Sequence, residues 1–519
     1  MLTHTQIGLL AGAAAMPMIN PCASANHPVR EDRPPNIMIL YVDDMGFGDM
    51  KINNPASKIP TPNLDRLAAT GMNFTDGHSS SGICTPSRYA LLTGRYHWRD
   101  FHGIVGSFGK PVFKEGQLTM PQMLREKGYT TACIGKWHLG WDWDAIRKPG
   151  TPRNSVHFND FDWSKPVPGG PLDRGFNHYF GDAVINFPPY AWIEDDQLPV
   201  EPDTMMDTEL WKPVKEGGWE ARAGPMVTGW DPYENISETT RRGVEYIRAQ
   251  KDTGKPFFLY FSYPSPHAPI IPNDAFDGKS GAGPYGDFVY ETDHSIGQLL
   301  DALEETGQAD NTIVVFSSDN GAEHYAHARD EKYDHWSSAP FRGLKRDIYE
   351  GGHHVPFIIR WPGVTKPGSV SDALIAQMDL MATFAALVGA GIPEGEAIDS
   401  FNDLPYLKGE ADAPRTQMVH NTFEDHYAIR DGDWVLIDAE TGYANPRLRP
   451  PEAWMRKHGY TADDGQPVKL YNLKDDVGQR HNLAAEHPER VAEMQALLKQ
   501  IRASRYPELG VTKTTEGDK

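Results

Sequence analysis

Short, wholly apolar runs recur along the chain from Asn36 onward, separated by stretches in which apolar residues return every third or fourth position. The runs at 37–42, 257–261, 313–316 and 357–359 lack the polar alternation of a half-exposed strand. They therefore predict strands covered on both faces, as in a parallel sheet. Helices are predicted between them. One begins at Thr61-Pro62-Asn63-Leu64 and another at Thr119-Met120-Pro121-Gln122, each with proline near the first helical position, where its missing N–H costs nothing. A third, over 293–303, places Ile296, Leu299, Leu300 and Leu303 on one face. The expected fold class is α/β, with a large, mostly parallel sheet flanked by helices on both faces.

Residues 150–235 break this rhythm with many Pro, Gly and Trp residues, and read as long loops lying over the sheet. After Gly391-Ile392-Pro393 the pattern changes to short strand-like pieces at 418–420, 434–437 and 470–473. A helix follows with Val491, Met494, Leu498 and Ile501 on one side. The chain thus divides into a large domain over 34–393, a smaller C-terminal α+β subdomain over 394–505 (antiparallel sheet plus helix), and a flexible tail over 506–519.

At 519 residues and 39% hydrophobic content the chain has ample material for a core. Its formal net charge of −21 disfavours nucleic acid, which needs a basic footprint. An anionic ligand would need a local positive pocket. Three cysteines, Cys22, Cys84 and Cys133, are too few for a disulfide framework or a four-thiolate zinc site. The apolar stretch at 7–16 followed by Ala23-Ser24-Ala25 reads as a signal peptide over 1–25, cut after Ala25, so an exported, periplasmic or secreted protein is expected. No other segment has the ~18 uninterrupted apolar residues of a membrane span. Without a heptad seam, a monomer is the default.

Two predicted strands run directly into carboxylates: one into Asp43-Asp44-Met45-Gly46, the other into Ser317-Ser318-Asp319-Asn320-Gly321. Ligands collect outside the carboxyl ends of strands in open α/β sheets, so the two clusters are expected to converge. Three carboxylates and an amide oxygen suit Ca²⁺ or Mg²⁺ and not zinc. Read singly, Asp-Asp and Asp-Asn-Gly are also ordinary turn formers.

The segment Cys84-Thr85-Pro86-Ser87-Arg88-Tyr89-Ala90-Leu91-Leu92-Thr93-Gly94-Arg95 resembles the signature of the formylglycine-dependent (type I) sulfatase family, arylsulfatase-like, whose fold and metal plan also resemble those of alkaline-phosphatase relatives. In that family the cysteine is oxidised to formylglycine (3-oxoalanine), and Pro86 and Arg88 occupy the positions the maturation enzyme reads. Outside that context Cys84 reads as a buried or reactive thiol, with Cys133 as a disulfide partner. A soft thiolate sits poorly beside a hard cation, whereas a hydrated aldehyde offers two hydroxyl oxygens.

The resemblance continues at Gly135-Lys136-Trp137-His138-Leu139-Gly140, at Pro266-His267-Ala268-Pro269, and at Phe341-Arg342-Gly343-Leu344-Lys345, followed by Glu350-Gly351-Gly352. It implies a metal site of Asp43, Asp44, Cys84, Asp319 and Asn320. It also implies a catalytic set of Cys84, Arg88, Lys136, His138, His267 and Lys345, with Arg88, Lys136 and Lys345 on the sulfate. If a strand runs through Ala132-Cys133-Ile134, residues 136 and 138 project to one side.

The implied reaction is hydrolysis of a sulfate monoester. The hydrate at residue 84 attacks sulfur while Asp319 takes its proton, His267 helped by Lys345 protonates the departing oxygen, and His138 deprotonates the remaining hydroxyl. Calcium, or magnesium, is the implied cofactor. A sulfated carbohydrate is the implied substrate, and a formylglycine-generating enzyme a necessary partner. Trp141, Trp143, Tyr190, Trp192 and Trp336 are candidates to stack on sugar faces and Arg99 and Arg342 to meet neighbouring anions, each also readable as core or rim. Two alternatives remain: a phosphate mono- or diester hydrolase of the same superfamily, and a sulfated-glycan binder with unmodified Cys84.

Overall fold

The computed structural model describes residues 33–207, 214–444, 449–460 and 464–504. The expected signal peptide at 1–25 and the tail at 506–519 lie outside the described residues. Nine strands form one sheet. At its centre Asn36–Val42 pairs in parallel with Phe257–Ser262 on one side and Thr312–Ser318 on the other. Thr130–Gly135 and His178–Gly181 extend the parallel run.

The all-apolar character of the central strand has a direct cause. Ile37, Ile39 and Tyr41 enter one core layer, and Met38, Leu40 and Val42 enter the other. Successive side chains of a strand point to opposite faces, so a strand with helices on both sides needs apolar residues at every position. The helices Cys84–Thr93, Met120–Glu126 and Asp379–Leu387 supply the first layer. Pro62–Thr70, Asn235–Gln250 and Gly283–Glu305 supply the second.

Three elements differ from the sequence reading. Phe357–Arg360 is antiparallel to its neighbours Thr312–Ser318 and Met72–Phe74, not parallel. It is nonetheless apolar on both faces, because the two helical layers extend over it. The region 150–235, read as loops, contributes two strands to the main sheet, His178–Gly181 and the antiparallel Ile193–Glu194. The third predicted helix starts ten residues earlier, at Gly283.

In the C-terminal part Gln417–Asn421, Tyr427–Asp431, Trp434–Ile437 and Lys469–Asn472 form an antiparallel meander. Helix Pro488–Ala503 packs Met494, Leu498 and Ile501 against one face of it, and Ile348 and Tyr349 of the large domain pack against the other. No helix among the described residues is long and apolar enough to cross a membrane.

Candidate functional site

Strand register brings the two acidic clusters together. Val42 lies opposite Ser318, so the residues that follow each strand emerge side by side at the carboxyl edge. Asp319 N–H donates to the Val42 carbonyl at 3.0 Å, and Asp44 N–H to Asp319 Oδ1 at 3.2 Å. Asp44 takes a left-handed backbone (φ 68°), which turns its carboxylate back over the strand end. Gly321 must be glycine, since a Cβ there would stand 1.9 Å from the Gly351 carbonyl oxygen.

Around this edge the cations converge. Lys136 forms an ion pair with Asp43, and Lys345 Nζ lies 2.8 Å from Asp44 Oδ2 and 3.5 Å from Glu323 Oε2. Arg88 donates through Nε and Nη2 to Asp319 Oδ2 at 3.0 and 2.8 Å, and through Nη1 to the Ser262 and Tyr260 hydroxyls. His267 Nε2 stands 3.7 Å from Asp44 Oδ2. Cys84 opens the helix Cys84–Thr93, buried and unpaired; Cys133 is likewise buried and unpaired. Burial pushes the Cys84 thiol up, Lys136 and Lys345 oppose this, and Asp319 and Asp43 add to it, so the sulfur shares the field of the cluster.

The donor set fits a hard cation. Asp43 Oδ1 is buried without a hydrogen-bond partner, a costly state for a polar oxygen unless a cation takes it. Asn320 differs from expectation in one respect: it turns Nδ2, not its oxygen, toward Asp44 Oδ1, at 2.6 Å. Exchange of the two amide ends would present the oxygen instead. Burial, with repulsion from Asp43, Glu323 and Asp319, outweighs Lys345 and pushes Asp44 up to about 8. Asp319 is pushed up to about 6 by burial and Asp43. Asp43 is held far below the carboxylate range, because Lys136, His267, Arg88 and Lys345 together outweigh its burial.

Both histidines are held neutral. Burial and then Lys345 push His267 down to about 3, and burial with Lys136 and Arg88 depresses His138. His138 Nε2 lies 2.9 Å from the Val105 carbonyl and therefore carries the hydrogen, while its Nδ1 is buried without a partner. The strand feeding this segment ends at Gly135, and His138 is left-handed (φ 55°), so strand alternation does not set the directions of Lys136 and His138. Instead Lys136 N–H donates to the Ser262 carbonyl at 2.7 Å, and the Thr85 hydroxyl donates to the His138 carbonyl at 2.9 Å.

Arg88 also stands apart from its expected role on the sulfate, because its N–H groups are committed to Asp319, Ser262 and Tyr260 beneath the cluster. The sequence reading overlooked Glu323, which takes two hydrogen bonds from Arg346 at 2.7 and 2.8 Å as well as facing Lys345. Its one clue was its place four residues beyond Asp319. Of the candidate aromatics, Trp141, Trp143 and Tyr190 are core, Trp192 packs on Phe180 and Trp230, and Trp336 packs on His327 and Trp454. Arg99 pairs with Asp399, and Arg342 is buried among Tyr349, Tyr443 and Tyr460.

The Sulfatase family model matches residues 35–390, and a second model, N-sulphoglucosamine sulphohydrolase, C-terminal, matches 343–443. An N-acetylgalactosamine-6-O-sulfatase of Bacteroides thetaiotaomicron is 30% identical over 94% of this chain and 98% of its own length. Human arylsulfatase A is 30% identical over 90% of this chain and 87% of its own. A solved structure described under the metabolism of multiple glycosaminoglycans by Bacteroides thetaiotaomicron superposes with a TM-score of 0.78 at 29% identity, covering 91% of this chain and 100% of that one. The strand-end carboxylates, the buried Cys84 segment and these similarities agree: the chain belongs to the sulfatase family, of the formylglycine-dependent type, and is a sulfuric ester hydrolase.

Proposed function

We propose that the protein removes sulfate from a sulfated carbohydrate, with residue 84 matured to formylglycine and a hard dication, calcium before magnesium, held by Asp43, Asp44, Asp319 and Asn320. The observation that carries this reading is the convergence, at one strand edge, of the Cys84 helix start with those oxygen donors and with Lys136, Lys345, His138 and His267. Bound together, the cation and the hydrated aldehyde supply an oxygen nucleophile ionised near neutral pH.

The chain's own residues account for the rest. Lys136 and Lys345 border the place a sulfate must occupy and balance its charge, while Arg88 holds Asp319 in position. His138 offers a free Nδ1 to accept a proton on the residue-84 side. His267 and Lys345 stand on the Asp44 side; the negative charge of a bound sulfate opposes the depression of the imidazole, so that His267, once protonated, can hand its Nε2 proton to the departing alcohol oxygen with Lys345 beside it.

The carbohydrate assignment is supported by the N-acetylgalactosamine-6-O-sulfatase relative, which makes a 6-O-sulfated N-acetylgalactosamine the first substrate to test. Arg222, laid over Phe187 with 3.7 Å to the ring centroid, stands beside the edge-on contact of Phe187 with His138 and offers a cation for a second anionic group. The apolar stretch at 7–16 supports action outside the cytoplasm.

The test is sulfate release from 6-O- and 4-O-sulfated galactosamines by enzyme whose residue 84 is shown by peptide mass spectrometry to be formylglycine, with aryl sulfate and aryl phosphate run in parallel. Release from the 6-O-sulfated sugar is expected. Faster phosphate than sulfate turnover would reassign the enzyme as a phosphoesterase. An unmodified thiol in protein from its native host would make it a glycan binder, and turnover of aryl sulfate alone would overturn the carbohydrate assignment.

A further inference from the structure

A second cluster of titratable groups lies away from the oxygen-rich site, where the C-terminal meander meets the large domain. His78 ends the short strand Gly77–His78, His353 ends the helix Glu350–His353, and His420 lies on Gln417–Asn421. Each is at most 1% exposed, and each offers a ring nitrogen within 4.8 Å of the other two.

Hydrogen bonding fixes two of the tautomers. His78 Nε2 lies 2.8 Å from Asp76 Oδ1, and His353 Nε2 lies 3.3 Å from the Ile348 carbonyl. Both partners accept only, so each Nε2 carries the hydrogen and each Nδ1 is left with a lone pair. Arg430 Nη1 comes within 3.4 Å of His78 Nε2 but donates to Asp76 at 2.6 Å, and so strengthens the carboxylate's hold. The two Nδ1 atoms then face each other at 3.1 Å with no hydrogen between them. His420 has a hydrogen-bond partner on neither nitrogen, and its ring is stacked on that of His353 with 3.5 Å between centroids. A proton in the gap would relieve the repulsion, but burial depresses all three imidazoles, His353 down to about 3, against the pull of Glu350 and Asp76.

We propose that His78, His353 and His420 form a second metal site, structural in role, that binds a borderline divalent transition metal, zinc in the first instance. Three imidazoles select such an ion over Ca²⁺ or Mg²⁺. The 3.1 Å between the two Nδ1 atoms is close to the roughly 3.3 Å edge of a tetrahedron with 2.0–2.1 Å bonds. Asp76 behind His78 is the carboxylate that metal-bound histidines commonly engage through their other nitrogen. Stacked rings cannot both aim in-plane lone pairs at one ion, so His420 must rotate out of its stack on loading, and having no hydrogen bonds it sacrifices none. The metal would tie together the segment leading into Cys84, the segment following Lys345 and the C-terminal meander, whatever the substrate proves to be.

The test uses full-length protein without affinity-tag histidines, in calcium buffer, assayed for metals as isolated and after addition of ZnCl₂ or CoCl₂. The expected result is about one zinc per chain, a tetrahedral Co²⁺ absorption spectrum, and a fall in Tm when a zinc-selective chelator that spares calcium is added. His420→Ala should lose at least nine-tenths of the zinc and the chelator's effect on Tm, whereas Cys84→Ala should retain both. Failure to bind either metal, zinc kept in full by His420→Ala, or zinc lost in Cys84→Ala would each overturn the proposal. Should His420→Ala not fold, the cobalt spectrum of the unsubstituted protein decides.

Discussion

Lys345 has two anionic partners, and only Asp44 belongs to the oxygen-rich set. Glu323 faces the same ammonium from the other side and anchors Arg346, so it keeps the lysine in place when a cation competes for Asp44. Glu323→Gln keeps the shape and removes the charge. Hydrogen bonds to charged groups contribute roughly 1.5–3 kcal/mol, so kcat/KM for a sulfate monoester should fall about tenfold or more, with Glu323→Asp recovering part of it. Steady-state kinetics alongside a thermal melt checks this; unchanged kcat/KM in a folded variant would show that Asp44 alone positions Lys345. Asp43, Asp44 and Asp319 were legible in the sequence because each lies within three residues of the end of an apolar run. Glu323 was not, because its meaning depends on a lysine 22 residues further on, just as the tautomer of His138 depends on a carbonyl from another loop.

At the level of elements, Thr61 marks the start of helix Pro62–Thr70, but its side chain makes no cap hydrogen bond. Asp293, from the neighbouring long helix, does so instead, accepting from the N–H groups of Asn63 and Leu64 at 2.8–3.1 Å. Burial outweighs those bonds and pushes Asp293 up to about 6, against about 3.9 in an unfolded chain. Between these values the folded state binds more protons than the unfolded one, so this group's contribution to stability is greatest below about pH 4 and is lost as pH rises through about 6. Relative to Asp293→Asn, the unsubstituted protein should lose on the order of 2 kcal/mol between pH 4 and 7. Urea unfolding at several pH values measures it, and parallel profiles would refute it.

Elements themselves were legible wherever apolar runs were long, and direction was the part that was not. Phe357–Arg360 carries the same pattern as its parallel neighbours because burial on both faces, not strand polarity, dictates composition. The strands His178–Gly181 and Ile193–Glu194 escaped notice because they are short pieces at one end of the sheet, set among Pro and Gly.

For the whole molecule, Arg342 is a rivet between the two parts. It donates to the Tyr443 hydroxyl at 2.9 Å and the Gln479 carbonyl at 3.0 Å, and lies over the rings of Tyr349, Tyr443 and Tyr460. Arg342→Ala should destabilise the protein by about 2–4 kcal/mol. Arg342→Lys should recover little, since an ammonium neither stacks nor forks. Hydrogen exchange should quicken in the strands Gln417–Asn421 to Lys469–Asn472 before the main sheet; uniform quickening would deny the junction its local role.

The order of the main sheet also bears on how the protein is made. Of the main sheet's described strands, Asn36–Val42 is the first to be synthesised and is also the central one, and both its neighbours arrive more than two hundred residues later. At about 5–20 residues per second of synthesis, this apolar segment waits roughly ten seconds to a minute without partners. Yield in a foreign host should therefore depend on holdase chaperones that shield it until residue 318 has emerged.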